Sequence, residues 1–194
     1  MQDKLRKKFV NKGINFVDVN TVYLSSDTEI GKNVVIEPFV VIGKKVKIGN
    51  NVTIKSFSHL EDTIVKDKVE VGPYARLRPG SIIEKCSKIG NFVEIKKSKV
   101  GAGSKINHLS YIGDTQIGKK VNIGAGTITC NYDGKNKLKT SIKDFAFIGS
   151  NTSLIAPVEI GKNSYIGAGS SISKNVKDNK LSLTRADQKS FKKK

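Results

Sequence analysis

The sequence predicts an all-β fold, a parallel β-helix wound from six-residue units, and three observations carry that expectation. Aliphatic residues recur at every sixth position over most of the chain. A small or β-branched residue lies four positions beyond nearly all of them, for example Val34, Val40, Val46, Ala75, Ser104 and Ala146. Glycine very often follows the aliphatic directly, as in Ile30-Gly31, Ile48-Gly49 and Ile160-Gly161. Such a period fits neither a helix of about 3.6 residues per turn nor the strict alternation of a strand. It fits a solenoid in which each unit is a short strand plus a corner and three units close one triangular coil.

Taken in order, Met1 to Lys12 reads as a short helix, with Leu5 and Phe9 on one face and Gly13 as its stop. A helix this short is marginal alone. Gly13 to Thr28 reads as an extended lead-in, so residues 1–28 form a linker helix and its approach. The repeat then runs Ile30, Ile36, Ile42, Ile48, Ile54, Leu60, slips by one residue, and resumes from Val65 to Ile95. It slips again at Val100 and Ile117, and after an interruption returns as Ile142, Ile148, Leu154, Ile160, Ile166, Ile172. Residues 29–176 are therefore the β-helix, broken by a loop at 130–140. The aliphatic fills the interior, the small residue packs beside it, and glycine or proline is expected at the bend. Pro38, Pro73 and Pro79 each fall two residues after an aliphatic, where no ladder hydrogen bond is lost. Residues 177–194 lack the repeat and read as a C-terminal arm.

Composition narrows the function classes. The chain has 194 residues, 37% hydrophobic content, no tryptophan and 18 glycines, which suits thin repetitive packing. No apolar run approaches a membrane span, and the charged start lacks an apolar leader segment, so a cytoplasmic protein with no membrane partner is expected. Cys86 and Cys130 show no metal-ligand or disulfide spacing, and no metal site is expected. The net charge of +18 raises nucleic acid as a partner. Yet only Arg6, Arg76, Arg78 and Arg185 are arginines, and base and phosphate readers favour that planar fork, so no nucleic-acid partner is expected. The basic run Lys189–Lys194 reads as a tail.

A coil of seventeen or eighteen residues lets columns be read from the numbering. Arg78 and Lys96 stack on one outer face, beside a column formed by Arg76, Glu94 and Tyr111. Strands one coil apart are about 4.8 Å apart, close enough for two cations to share one phosphate. His108 stands at the corner leading onto that face. Ala125, Ser150 and Ala168 continue its column upward, a trough about 14 Å long suited to an extended ligand with its reactive end at the histidine. A neutral imidazole held by Glu94 serves as a general base near neutral pH. The loop carries Asn131, Tyr132 and Lys137 over the cationic face, and long excursions from a regular solenoid are usually functional. His59 lacks this company and reads as a surface residue.

Four stretches carry a resemblance: Arg76-Leu-Arg-Pro-Gly, Asn91-Phe-Val-Glu-Ile-Lys-Lys, His108-Leu-Ser-Tyr-Ile-Gly-Asp, and Asn122-Ile-Gly-Ala-Gly-Thr-Ile-Thr-Cys-Asn-Tyr-Asp-Gly. Together they resemble the acetyltransferase domain of the bacterial bifunctional N-acetylglucosamine-1-phosphate uridyltransferase / glucosamine-1-phosphate N-acetyltransferase family, over nearly the whole chain. The resemblance implies a left-handed β-helix, a handedness that the period does not contain. It implies a homotrimer that moves acetyl from acetyl-CoA to the amino group of glucosamine 1-phosphate, a step toward UDP-N-acetylglucosamine and the cell wall. In it His108 is the general base, with Glu94 orienting it. Arg78, Lys96 and Lys137 hold the sugar phosphate, and Tyr111 and Asn122 hold the sugar. Ala125, Asn131, Tyr132, Ser150, Ala168 and Arg185 line the acetyl-CoA site, part of it from a neighbouring subunit. The family's nucleotidyltransferase domain has no counterpart here, so uridyl transfer is expected to be absent and left to a separate enzyme. The rivals are another hexapeptide acyltransferase with a different acceptor, and a non-catalytic structural β-helix. The second would show flat threonine ladders in place of 27% charged residues.

Overall fold

A computed structural model describes residues 1–192, so Lys193 and Lys194 of the basic run lie outside the described residues. Among those residues the chain winds into a three-sided parallel β-solenoid. Its first face is a ten-stranded sheet from Asn15–Phe16 to Leu181–Ser182. Its second face has nine strands, from Tyr23–Leu24 to Ser171–Ile172, and its third has eight, from Glu29–Ile30 to Val158–Ile160. The strands of each face pair in parallel with their aliphatic residues in register, as in Ile36↔Ile54, Leu60↔Leu77 and Ile83↔Val100. The repeating aliphatics and the small residues four positions on both point inward. Ile36, Val40, Ile54, Leu60, Ile83, Ile95, Ile106 and Ile112 are fully buried in one continuous core.

The corners differ from the expectation that glycine or proline makes the bend. The third residue after the aliphatic, or the second where the count slips, takes the left-handed backbone conformation, and eighteen of these are not glycine, among them Asn33, Phe57, Tyr74, Leu109 and Asp114. That conformation costs an L-residue about 1–2 kcal/mol. It is offset because the same residue's N–H continues the ladder at the corner: Asn51 to Lys32 O at 2.8 Å, Tyr74 to Ser56 O at 3.0 Å, Leu109 to Asn91 O at 3.0 Å. The glycine after the aliphatic serves close approach instead. A Cβ on Gly118 would lie 2.6 Å from the Asp144 amide nitrogen, and one on Gly101 would lie 2.2 Å from the Gly118 carbonyl oxygen.

The ends extend beyond the boundaries read from the repeat. Asn15–Phe16 and Tyr23–Leu24 already pair with Val35–Ile36 and Val41–Ile42, so the first coil begins inside the 1–28 lead-in. Leu181–Ser182 pairs with Tyr165–Ile166, so the 177–194 arm begins as a last rung. In both places backbone pairing continues where the aliphatic spacing fades. The helix Gln2–Val10 closes the lower end by packing Phe9 into the core. Gln2 exchanges two hydrogen bonds with Leu24, and Arg6 donates to Val22 O and Asn20 O. A terminal cap of this kind shields the first coil's apolar interior from water. No helix among the described residues is long and apolar enough to cross a membrane.

Candidate active site

The register makes a charged column of the second face. His59, Arg76, Glu94 and Tyr111 occupy successive coils at one position. Glu94 Oε1 accepts from Arg78 Nη1 at 2.8 Å, and its other oxygen lies 3.9 Å from Arg76 Nη1. Donating this hydrogen bond to Glu94 raises the pKa of the Arg78 guanidinium above its ordinary value, so this cation keeps its charge. One coil higher, Lys96 Nζ lies 3.2 Å from Asp114 Oδ2. His59 is exposed at the foot of this column, so it shares the cationic face, which its reading as an unaccompanied surface residue did not anticipate.

His108 stands at the edge between the first and second faces, exposed, at the end of the strand Lys105–His108. Its Nδ1 lies 2.7 Å from Asn91 Oδ1, one coil below. An amide oxygen only accepts, so this contact favours the tautomer of the neutral ring with its proton on Nδ1 and Nε2 as the acceptor. Glu94, expected to orient the imidazole, has its carboxylate engaged by Arg78, and the contact to the ring comes from Asn91. The numbering contained the signal, since Asn91 lies seventeen residues before His108 in the same column.

Above His108 the column is Ala125, Ser150 and Ala168, as the registers Ile106↔Ile123, Ile123↔Ile148 and Ile148↔Ile166 require. Its floor is backbone. A Cβ on Gly124 would sit 2.5 Å from Ser150 N, and one on Gly149 would sit 2.4 Å from Ala168 N. Arg185 reaches the top of this trough and donates to Ala168 O at 3.1 Å. Below His108 a hollow on the first face is lined by Lys88, Asn91, Lys105 and Asn107.

The other expected residues lie apart from this edge. Asn122 opens onto the first face, in register with Lys105 and Phe147, around the corner from Tyr111. The loop leaves and returns at the opposite edge of the second face, between the strands Ile128–Cys130 and Thr140–Ile142. There Asn131 is buried against Asp114, and Lys137 Nζ sits 3.8 Å from the centroid of the Tyr132 ring. A single chain therefore gathers Arg78, Glu94, Lys96, Tyr111 and His108 around one face. It holds Asn131, Tyr132 and Lys137 across the full width of that face from the Ala125–Ala168 trough.

Comparison with known proteins places this arrangement. The family model "Bacterial transferase hexapeptide (six repeats)" matches residues 27–61 and 139–174. The bifunctional protein GlmU of Zymomonas mobilis is 54% identical over 187 residues, covering 96% of this chain and 42% of that protein. GlmU of Paramagnetospirillum magneticum is 50% identical over 192 residues, covering 99% of this chain and 43% of that protein. The matched portion is the C-terminal part. The chain belongs with the C-terminal domains of GlmU proteins. It spans less than half the length of the GlmU relatives it matches. Among solved structures, a UDP-N-acetylglucosamine acyltransferase from Campylobacter jejuni superposes with a TM-score of 0.60 at 22% identity, over 84% of this chain and 69% of that one. That likeness is one of fold. The likeness to GlmU runs through the coils that carry the cationic face, His108 and the loop.

Proposed function

We propose that this domain transfers acetyl from acetyl-CoA to the 2-amino group of glucosamine 1-phosphate. The observation that carries the reading is His108, its Nδ1 held against Asn91 Oδ1, standing between a cationic face and a trough of small residues. The similarity of nearly this whole chain to part of the GlmU proteins supports the choice of substrates.

In this reading Arg78 and Lys96 anchor the sugar phosphate, with Arg76 beside them and Lys137 reaching over from the loop. Tyr111 and Asn122 hold the sugar. Acetyl-CoA lies along Ala125, Ser150 and Ala168, with Arg185, Asn131 and Tyr132 completing its site. An amine is largely protonated in neutral water and has no lone pair to attack with. It reaches the attack as the neutral amine, its ammonium proton lost to solvent, and His108 Nε2 takes the next proton as nitrogen attacks the thioester carbonyl. Gly124 N–H is taken up by Ile148 O, so the backbone N–H groups of Ala125 and Gly126, with Ser150, are the donors this reading gives to the developing oxyanion. The tetrahedral adduct then collapses, the C–S bond breaks, and the departing thiolate recovers the proton from the imidazolium. General-base help of this kind is worth about 10²–10⁴-fold. No acyl-enzyme is required, so Cys130 has no chemical role despite its place at the loop.

The separation of Asn122, Asn131, Tyr132 and Lys137 from the His108 edge supports a homotrimer in which a neighbouring copy completes each site. The test is steady-state thiol release from acetyl-CoA with glucosamine 1-phosphate, run beside unphosphorylated glucosamine and other amino sugars. Preference for the phosphorylated acceptor supports the proposal. Equal turnover without the phosphate removes the cationic face from the mechanism. Mass in solution tests the assembly, and a monomer that turns over at the full rate overturns it.

A further inference from the structure

The cationic face and the loop beside it meet at a side chain to which no role above is given, Asp114. We infer that Asp114 is a positioning residue whose carboxylate aims the Lys96 ammonium and whose side chain and backbone together anchor both legs of the loop. The inference rests on the reading of Lys96 as a phosphate ligand.

Asp114 Oδ2 accepts from Lys96 Nζ at 3.2 Å, from the coil below, and from Asn131 Nδ2 at 2.5 Å, from the outgoing leg. The side chains of Asp114 and Lys96 are 15% and 16% exposed, and Asn131 is 5% exposed, so water competes weakly for these contacts. The returning leg is tied to the same residue, because Thr140 N–H donates to Asp114 O at 3.3 Å. The two legs are joined by Leu138 N–H donating to Asn131 O at 2.8 Å. The preceding residue keeps this junction open: a Cβ on Gly113 would lie 2.6 Å from Tyr111 Oη and 2.7 Å from Asn131 Nδ2.

The turn itself does not account for an acid at this position. Asp114 has φ 49°, and Lys97 holds the equivalent corner one coil below at φ 44°, with Gly80 below that. The carboxylate is matched to its neighbours, not to the backbone. An ammonium has three donors, so Lys96 keeps Asp114 with one and offers the others to a phosphate. Without the carboxylate, the same ammonium turns to water and its placement is lost before substrate arrives.

Asp114→Asn tests this with little disturbance, because asparagine has the same shape and tolerates the left-handed corner. Its amide oxygen still accepts from Asn131 but no longer pairs with a charge. The expected result is KM for glucosamine 1-phosphate raised about tenfold, with kcat, KM for acetyl-CoA and the melting midpoint near wild type. Asp114→Ala removes both contacts, and amide hydrogen exchange across residues 132–139 is then expected to quicken about tenfold or more. Unchanged KM values in Asp114→Asn overturn the inference. So does a parallel loss of kcat, of both KM values and of melting midpoint, which marks a role in folding alone. If the wild-type chain transfers no acetyl to glucosamine 1-phosphate, the functional reading fails on its own. The exchange measurement then decides the anchor: slow exchange in Asp114→Ala overturns it, and fast exchange supports it.

Discussion

The edge between the first and second faces repeats one left-handed corner from coil to coil, and its lower and upper halves differ in the side chains placed there. Below and at His108 the left-handed corner residues are Phe39, Phe57, Tyr74, Phe92 and Leu109; above it they are Gly126, Asn151 and Gly169. In the lower half four rings stack at centroid distances of 5.0, 4.8 and 5.2 Å, each about half exposed. In the upper half the same position carries no ring, only Gly126, Asn151 and Gly169, and runs beside Ala125, Ser150 and Ala168. A solenoid repeats its backbone almost exactly from coil to coil, so side-chain volume at the corner decides whether an edge is a ridge or a trough. The histidine sits where one changes to the other. Aromatic stacking therefore supports the lower coils, and the volume left out of the upper coils is what a long ligand requires.

The largest expected effect comes from the junction. His108→Ala is expected to lower kcat by about a hundredfold or more while acetyl-CoA still binds by calorimetry, since the trough is intact. Near wild-type turnover would detach the chemistry from this edge. Next, the two candidate partners of the ring separate cleanly. Asn91→Ala should cost about tenfold in kcat by releasing the imidazole, whereas Glu94→Ala should act mainly on KM for the sugar phosphate by freeing Arg78. The reverse pattern would restore Glu94 as the orienting group. Making the upper half resemble the lower, with Asn151→Phe at the equivalent corner, should raise KM for acetyl-CoA about tenfold and leave KM for the acceptor near its wild-type value. Making the lower half resemble the upper, with Phe57→Ala, should leave both KM values alone. It removes a half-exposed ring stacked on Phe39 and Tyr74, so a destabilisation of about 1–2 kcal/mol in denaturant unfolding is expected. A change in acetyl-CoA affinity in that variant would show that the ridge and the trough are one site.

Much of this was legible before any coordinates. The six-residue period marked which residues face the interior, and coil arithmetic stacked Arg76, Glu94 and Tyr111 as well as the column above His108. Both follow because parallel pairing at a constant coil length turns sequence separation into spatial adjacency. The same arithmetic run downward reaches Asn91, which went unread because an asparagine carries no obvious chemistry. Glycine's place was misread for a related reason. Its spacing shows where a side chain is excluded, not whether a bend or a neighbouring backbone excludes it.

The period of the aliphatic residues was enough to specify the solenoid, its core and the order of its columns, because one buried residue per side of each coil leaves the chain little other way to wrap. It could not settle how charges are shared between adjacent columns. Glu94 had arginines and an imidazole to choose among, and distances and directions set by the corner torsions gave it to Arg78 and gave His108 to Asn91. Nor could it show that Asn131, Tyr132 and Lys137 stand across the second face from the trough, because a loop has no period to count.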